Sequence, residues 1–449
     1  ALKQANMNYV LLAIILQVIT MILWNLRWSV ILGGLNIAHK KITLFAMLLV
    51  GLAVNNLTPS GRGGGEPVRA YLLSKNTNSS FKTTFATVMG DKLFDIYIEL
   101  QNECGKLFKC NYADARTLSG LNAITTLLMA LFNIGDTILI TSPEYGGHSS
   151  MKIICERLGL KAEFLPYDYD AKDFDYLAIN SLISKYNVDG ILIALSDMIE
   201  HPQLHKINIK NTTLIYDATQ ILGLIATNNI ENPFNWFSDE DNFILMGATH
   251  KTIPGPTCGL IMTRNIKLAE KIDLKINPDY LRNVQLNNVT SLLFSLYELD
   301  DFGKEYFDVM RSFMDTVAIK LENNKVKLIK TRDGHFSNTH QLWLSLPEKT
   351  IDIFERNSLM SDVSLNIRRR KIYDSQGVRL GFQQIARFNW GNDEAETIAE
   401  ILILLMKSKC NFKQISEKIK KLPPKEIHFT YDKAITDNVK QVLHNSNIH

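Results

Sequence analysis

Met246-Gly247-Ala248-Thr249-His250-Lys251-Thr252-Ile253-Pro254-Gly255-Pro256 is the stretch on which the fold reading turns. The residues leading into it, Phe243-Ile244-Leu245-Met246, form a short unbroken apolar run of the kind a buried parallel strand uses. Gly247, Pro254, Gly255 and Pro256 then interrupt regular structure around Lys251, so a single lysine is presented in a loop at a strand end. Lysine is rarely buried without a task. Once enclosed it loses hydration and its pKa falls, and the neutral amine can form a Schiff base with an aldehyde. From these residues alone the plainer alternative, a surface lysine in a loop, is the commoner case.

A second strand supplies the partner. Thr213-Leu-Ile-Tyr-Asp217 is an apolar run that ends in a carboxylate. An acid at one strand end and a lysine at another suit pyridoxal phosphate, because a negative charge keeps the pyridine nitrogen protonated and strengthens the ring as an electron sink. Taken singly, an Asp in this position is usually a turn or cap residue.

Five blocks then line up in order: Ser119-Gly120, Gly146-Gly147-His148, Asp217 with Gln220 and Gly223, Thr249-His250-Lys251-Thr252, and Arg379-Leu380-Gly381. In order and spacing they resemble serine hydroxymethyltransferase, and the Gly-x-Gln-x-x-x-Arg pattern from Gly381 to Arg387 resembles archaeal members. The resemblance spans residues 96 to 407. It implies an α/β fold-type-I pyridoxal-phosphate transferase, with a large domain built on a mainly parallel sheet and a small C-terminal α/β domain. It also implies roles: Lys251 for the Schiff base, Asp217 for the ring nitrogen, His148 stacked on the ring, and Ser119 and Gly120 for phosphate. Ser196 would lie near the ring oxygen, His250 beside the cofactor, and Arg379 on the substrate carboxylate, a bidentate task suited to a guanidinium. Gln220 departs from the pattern, since the family has histidine there; glutamine still donates a hydrogen bond but cannot titrate. The implied reaction interconverts serine and glycine with one-carbon transfer to tetrahydrofolate or tetrahydromethanopterin, in a homodimer.

The first hundred residues differ in character. Tyr9 to Trp24 is apolar apart from Gln17 and Thr20, and with Asn25 to Leu32 it reaches membrane length, which takes about 20 residues. A second apolar run, Ile42 to Val54, follows. Two buried helices of a soluble domain are the alternative. No small-residue cleavage site follows the first run, which argues against a signal peptide. Asn55 to Lys75, with Thr87 to Asp95, resembles part of the flippase-like family that includes the membrane region of lysylphosphatidylglycerol synthase. There Arg62 and Arg69 would meet a lipid phosphate, with a Gly-rich polar turn as the alternative. The expectation is a membrane-associated protein whose cofactor domain is cytoplasmic. Basic residues flank both apolar runs, so charge does not orient them. Where hydroxymethyltransferases carry a catalytic Glu and active-site tyrosines, this chain has membrane-like sequence.

Bulk composition is consistent with this division. The 449 residues are 46% hydrophobic, enough for two or three domains, and a formal net charge of +3 gives no nucleic-acid bias. The five cysteines, at 104, 110, 155, 258 and 410, lack metal-type spacing, so no metal site is expected. From Ile96 onward helices and strands alternate, as a parallel sheet with helices on both faces requires. Val289 to Lys325 reads as a long helix broken at Asp300-Asp-Phe-Gly303. Arg368-Arg369-Arg370-Lys371 reads as a solvated charge run. The division expected is a membrane segment 1–95, a cofactor domain 96–323, a small domain 324–408 and a basic tail 409–449. Two other functions fit the same residues: an aldolase acting on β-hydroxy amino acids, which needs less of the missing N-terminal machinery, and a lipid-handling or anchor protein carrying an inert cofactor fold.

Overall fold

The computed structural model describes residues 7–35, 37–57, 65–77, 79–281, 284–374, 376–388 and 390–425. The chain divides into two compact units, the first holding residues up to Glu99 and the second Leu100–Tyr431.

In the first unit, α1 (Met7–Gly34) and α2 (Lys41–Leu57) form from the two apolar runs, followed by α3 (Gly65–Asn76) and the start of α4 (Phe81–Phe108). Trp28, Leu32, Leu44, Met47, Leu73 and Val88 make a small core. Trp28 anchors it, donating from Nε1 to Thr87 Oγ1 at 3.1 Å. α2 and α3 approach so closely that a Cβ on Gly65 would lie 2.2 Å from the Gly51 carbonyl oxygen. Along α1 the side chains of Leu11, Leu12, Ile14, Ile15, Leu16, Val18 and Ile19 are exposed. Leu11–Gly34, 24 residues, is apolar and long enough to cross a membrane, and only 11% of its most apolar window is buried. At 1.5 Å per residue it is about 36 Å long, against about 30 Å of hydrocarbon.

The second unit is built on a seven-stranded sheet. Its strands are β1 (Tyr112–Thr117), β2 (Thr137–Ile140), β3 (Lys161–Phe164), β4 (Gly190–Ala194), β5 (Thr213–Asp217), β6 (Phe243–Ala248) and β7 (Gly259–Thr263). They lie in the order β1-β7-β6-β5-β4-β2-β3. The pairs from β3 through β6 are parallel and β7 is antiparallel to both its neighbours. β4, β5 and β6 read as continuous apolar runs because helices cover both sheet faces. Among those helices, α5 (Gly120–Leu131) contributes Ala123, Ile124, Leu127 and Leu128 to the core beneath the sheet.

The long helix Leu286–Asn323 is continuous, so the break expected at Asp300–Gly303 does not occur. Gly303 serves close packing instead: a Cβ there would stand 2.3 Å from Thr227 Cγ2. Beyond it lies a four-stranded antiparallel sheet of β8 (Leu328–Ile329), β9 (Gln341–Ser345), β10 (Ile367–Arg368) and β11 (Gly377–Gly381), in the order β8-β9-β11-β10. Helices Glu348–Met360 and Asn392–Leu405 complete this smaller layer. In the basic tail, helix Phe412–Lys421 buries Ile415 and pairs Lys418 with Glu400 at 2.6 Å. Residues 426–449 lie outside the described residues.

β9 and β11 meet tightly at Gly377, where a Cβ would fall 2.4 Å from the Leu344 carbonyl oxygen and 2.2 Å from the Tyr373 ring. Gly377→Ala is therefore expected to destabilise the second unit by about 1–3 kcal/mol, read as a lower urea midpoint of the full chain.

Candidate active site

The parallel register aligns the carboxyl ends of three strands. Ala194 of β4 pairs with Asp217 of β5, and Asp217 pairs with Met246 of β6. Ligand sites in open α/β sheets form outside such strand ends. Ser196, Asp217 and the Lys251 loop all leave from this edge.

The Gly146-Gly147-His148 turn is tied to the same edge through its backbone. His148 N donates to the Ala194 carbonyl at 2.9 Å, and Ser196 N and Asp197 N donate to the Gly146 carbonyl at 2.8 and 3.1 Å. Gly146 has φ +101°, and a Cβ on it would lie 2.6 Å from the Asp197 carbonyl oxygen, so only glycine suits this position. His148 Nδ1 accepts from Ser150 N at 3.2 Å. Burial, and then the nearby Arg370 guanidinium, hold the His148 imidazole below its ordinary pKa and so favour the neutral ring.

Lys251 follows β6 and is half-buried. Burial depresses its pKa first, with Arg379 and Arg368 adding repulsion. It lines a cavity of about 180 Å³ with His250, Tyr306, Phe307, Gln384 and Arg387. The loop is braced from behind: Gly223 N donates to Thr252 Oγ1 at 3.0 Å, and a Cβ on Gly223 would meet the Thr252 carbonyl oxygen at 2.4 Å. His250 is exposed.

Asp217 keeps one oxygen occupied, since Oδ1 accepts from the backbone N of Thr219 at 3.0 Å and from its hydroxyl. Burial raises its pKa, opposed by those Thr219 hydrogen bonds. Thr219 Oγ1 in turn accepts from Ala248 N at 2.7 Å, linking the ends of β5 and β6. Ser119 caps α5, its Oγ accepting from Asn122 N at 3.1 Å. Gly120 presses on the end of β6, where an added Cβ would stand 3.0 Å from Ala248 Cβ. The N-terminus of α5 thus sits over the strand that carries the lysine loop.

The small sheet closes the site from the other side. Arg379 Nη1 donates to the Ser196 carbonyl at 2.5 Å and to Asp197 Oδ1 at 2.8 Å. Gln341, opposite Gly381 on β9, has its amide fully used. Its Nε2 donates to the Ser196 carbonyl at 3.0 Å and to Gln220 Oε1 at 3.1 Å, while its Oε1 accepts from Met198 N and Trp343 Nε1, each at 3.0 Å. Buried His340 lies close by, its pKa pushed down to about 3 by burial and then by Arg379.

Sequence reasoning missed Asp197, Gln341 and two arginines. Arg370 Nη1 donates to Asp197 Oδ2 at 2.6 Å and to the Gly147 carbonyl at 3.2 Å, and Arg368 Nε lies 3.3 Å from Asp197 Oδ1. The reading of Arg368–Lys371 as a solvated charge run is thereby corrected. In extended backbone alternate side chains face opposite ways, so Arg368 and Arg370 turn inward while Arg369 pairs with Glu355 outside. That alternation was present in Ile367-Arg368-Arg369-Arg370, but no acid near them in sequence marked their partner. In the first unit, Arg69 is buried with its guanidinium 4.2 Å from the Trp28 ring centroid, and Arg62 lies outside the described residues.

Residues 90–402 match the family model described as serine hydroxymethyltransferase. The chain belongs to the serine hydroxymethyltransferase family. Serine hydroxymethyltransferase of Archaeoglobus fulgidus is 25% identical over 77% of this chain and 80% of its own length. That of Methanopyrus kandleri is 28% identical over 66% and 71%. An L-threonine transaldolase from Pseudomonas fluorescens shares the fold, with a TM-score of 0.69 at 20% identity, covering 78% of this chain and 82% of that one. Residues 1–99 match the model described as the lysylphosphatidylglycerol synthase transmembrane region. A membrane protein of Methanothermobacter thermautotrophicus is 50% identical over 97 residues, which are 22% of this chain and 29% of that protein.

This family member is an enzyme of the pyridoxal-phosphate transferase type. Its residues fit that cofactor: an amine with depressed basicity at Lys251, a strand-end carboxylate at Asp217, and a helix N-terminus pressed onto β6 through Gly120. Because Arg379 and Arg368 both repel the Lys251 ammonium, Arg379→Ala or Arg368→Ala is expected to raise the pH midpoint of Lys251 acetylation, followed residue by residue with acetic anhydride and mass spectrometry. An unchanged midpoint in both variants would remove the arginines as its cause.

Proposed function

We propose that this hydroxymethyltransferase homologue interconverts serine and glycine, with one-carbon transfer to tetrahydrofolate or tetrahydromethanopterin. The reading is carried by one juxtaposition: Lys251, Asp217 and Arg379 converge on the carboxyl edge of β4, β5 and β6. Pyridoxal phosphate, when bound, supplies an electron sink for the bonds at the amino acid's Cα.

The chain's own residues do the rest. Lys251 holds the cofactor's aldehyde and, its basicity lowered by burial and then by Arg379 and Arg368, carries and returns a proton at Cα. Asp217 offers its second carboxylate oxygen to the ring nitrogen, while Thr219 fixes the first. Ser119, with the free amides at the start of α5, takes the phosphate beside Gly120. His148, kept neutral, lies against the ring face and accepts the proton of the substrate hydroxyl. Gln220 and Ser196 border the ring oxygen, with Gln341 fixing both. His250 stands at the mouth of the lysine cavity. Arg379 is anchored through Nη1 and turns its remaining edge to the substrate carboxylate. The enzyme acts as a homodimer, tethered by α1 with its cofactor unit on the cytoplasmic side; Arg62 remains the candidate for a lipid phosphate, whereas Arg69 is buried within α3 against the Trp28 ring and is withdrawn from that role.

A second reading, aldol cleavage of a β-hydroxy amino acid without a carrier, is favoured by the membrane-like sequence that stands where the family keeps its N-terminal Glu. Both are tested with the full chain in lipid nanodiscs, supplied with pyridoxal phosphate. Glycine formed from serine only when a reduced pterin is added, and reduced at least about a thousandfold in Lys251→Ala, is the expected result. Carrier-independent cleavage of allo-threonine would shift the assignment to the aldolase. Turnover insensitive to Lys251 would contradict both.

A further inference from the structure

The site holds more positive charge than a monocarboxylic amino acid needs. Arg368, Arg370 and Arg379 surround a single acid, Asp197, whose side chain is fully buried. No other carboxylate pairs with these three arginines among the described residues. Asp197 is also well served already, because Arg370 holds Oδ2 at 2.6 Å and Arg379 holds Oδ1 at 2.8 Å. Arg368 approaches the same Oδ1 at 3.3 Å, yet its buried Nε makes no hydrogen bond. A buried guanidinium donor without an acceptor is costly, and a ligand anion would relieve it.

The register shows where that anion would sit. Arg368 of β10 stands opposite Gly377 of β11, and Arg379 lies two residues further along β11. Residues two apart share a sheet face, so Arg368 and Arg379 are diagonal neighbours about 7–8 Å apart, both facing the strand ends that carry Ser196 and Asp217. Gly377 has no side chain to separate them, and the ring of Tyr373 packs over it. Arg379 uses only Nη1 on the protein, which leaves its Nε and Nη2 edge for one carboxylate. Arg368 is then placed for a second.

We propose that the preferred substrate is a 2-amino-3-hydroxy dicarboxylic acid, whose second carboxylate binds Arg368 while Arg370 keeps Asp197 neutralised. The inference rests on the cofactor-dependent reading above and narrows its substrate class. With 3-hydroxyaspartate the step balances without any carrier. The hydroxyl proton passes to a protein base and the Cα–Cβ bond breaks as the β-carbon becomes the aldehyde of glyoxylate. The electron pair left on Cα takes a proton to give glycine.

The test uses the full-length holoenzyme and titrates its visible absorption with serine, glycine, aspartate and the 3-hydroxyaspartates. The expected result is half-saturation by the dicarboxylates at about tenfold or more lower concentration than by serine, with glyoxylate released from 3-hydroxyaspartate. Arg368→Ala should collapse that ratio, and Arg368→Lys, which keeps the charge, should retain part of it. A spectral response to serine and glycine with no advantage for the dicarboxylates would overturn the inference and leave the proposed function standing. No response to any amino acid, in a protein shown to carry the cofactor on Lys251, would remove that function and the inference with it.

Discussion

The arrangement of this active site depends on burying the Asp197 carboxylate beneath two firmly bonded guanidiniums. An unpaired carboxylate there would be several kcal/mol too costly to keep ionised, and removing one partner of such a pair typically costs about 3–5 kcal/mol. The ion cluster therefore ties three separate parts of the chain together: the turn after β4, the Gly146–His148 loop through the Gly147 carbonyl, and the small sheet through Arg370 and Arg379. Gln341 repeats the tie with neutral hydrogen bonds, all four of its polar positions being filled. The same contacts that dock the two sheets also aim the substrate-facing arginine.

From that constraint the chemistry of Lys251 follows. Burial of the loop, braced by Gly223 and Thr252, lowers the basicity of the Lys251 amine first, and Arg379 and Arg368, held close by, add repulsion in the same direction. A lysine so placed is easily made neutral. His148 is governed likewise, since burial and Arg370 both disfavour its proton. One cationic cluster thus adds to burial in disfavouring the protonated form of two groups in the site.

Residues whose surroundings are local could be read from sequence. Lys251, Asp217, Ser119 and Gly146-Gly147-His148 each stand where an apolar run gives way to a turn or a helix cap, and the structure puts them on one edge. The roles of Ser119, His148 and Arg379, as distinct from their places at turns and caps, were legible only through resemblance to a known pattern. Asp197, Gln341, Arg368 and Arg370 were not legible, because their partners lie more than a hundred residues away along the chain and nothing in their neighbours signals the contact. Gly303 misled for a related reason: it reads as a helix breaker, whereas it makes room for Thr227 inside a continuous helix. The apolar N-terminal runs were plain as helices, and the exposure of α1 distinguishes it from the core helices of the second unit.

The central claim is that the ends of β4, β5 and β6 form a cofactor site with Lys251 as the attachment point. It is tested most directly by incubating the full chain with pyridoxal phosphate, reducing with borohydride, and mapping the modified peptide by mass spectrometry. The account predicts stoichiometric modification at Lys251, lost when excess serine is present during the reduction. Labelling spread over surface lysines, or absent from the Lys251 peptide, would contradict it.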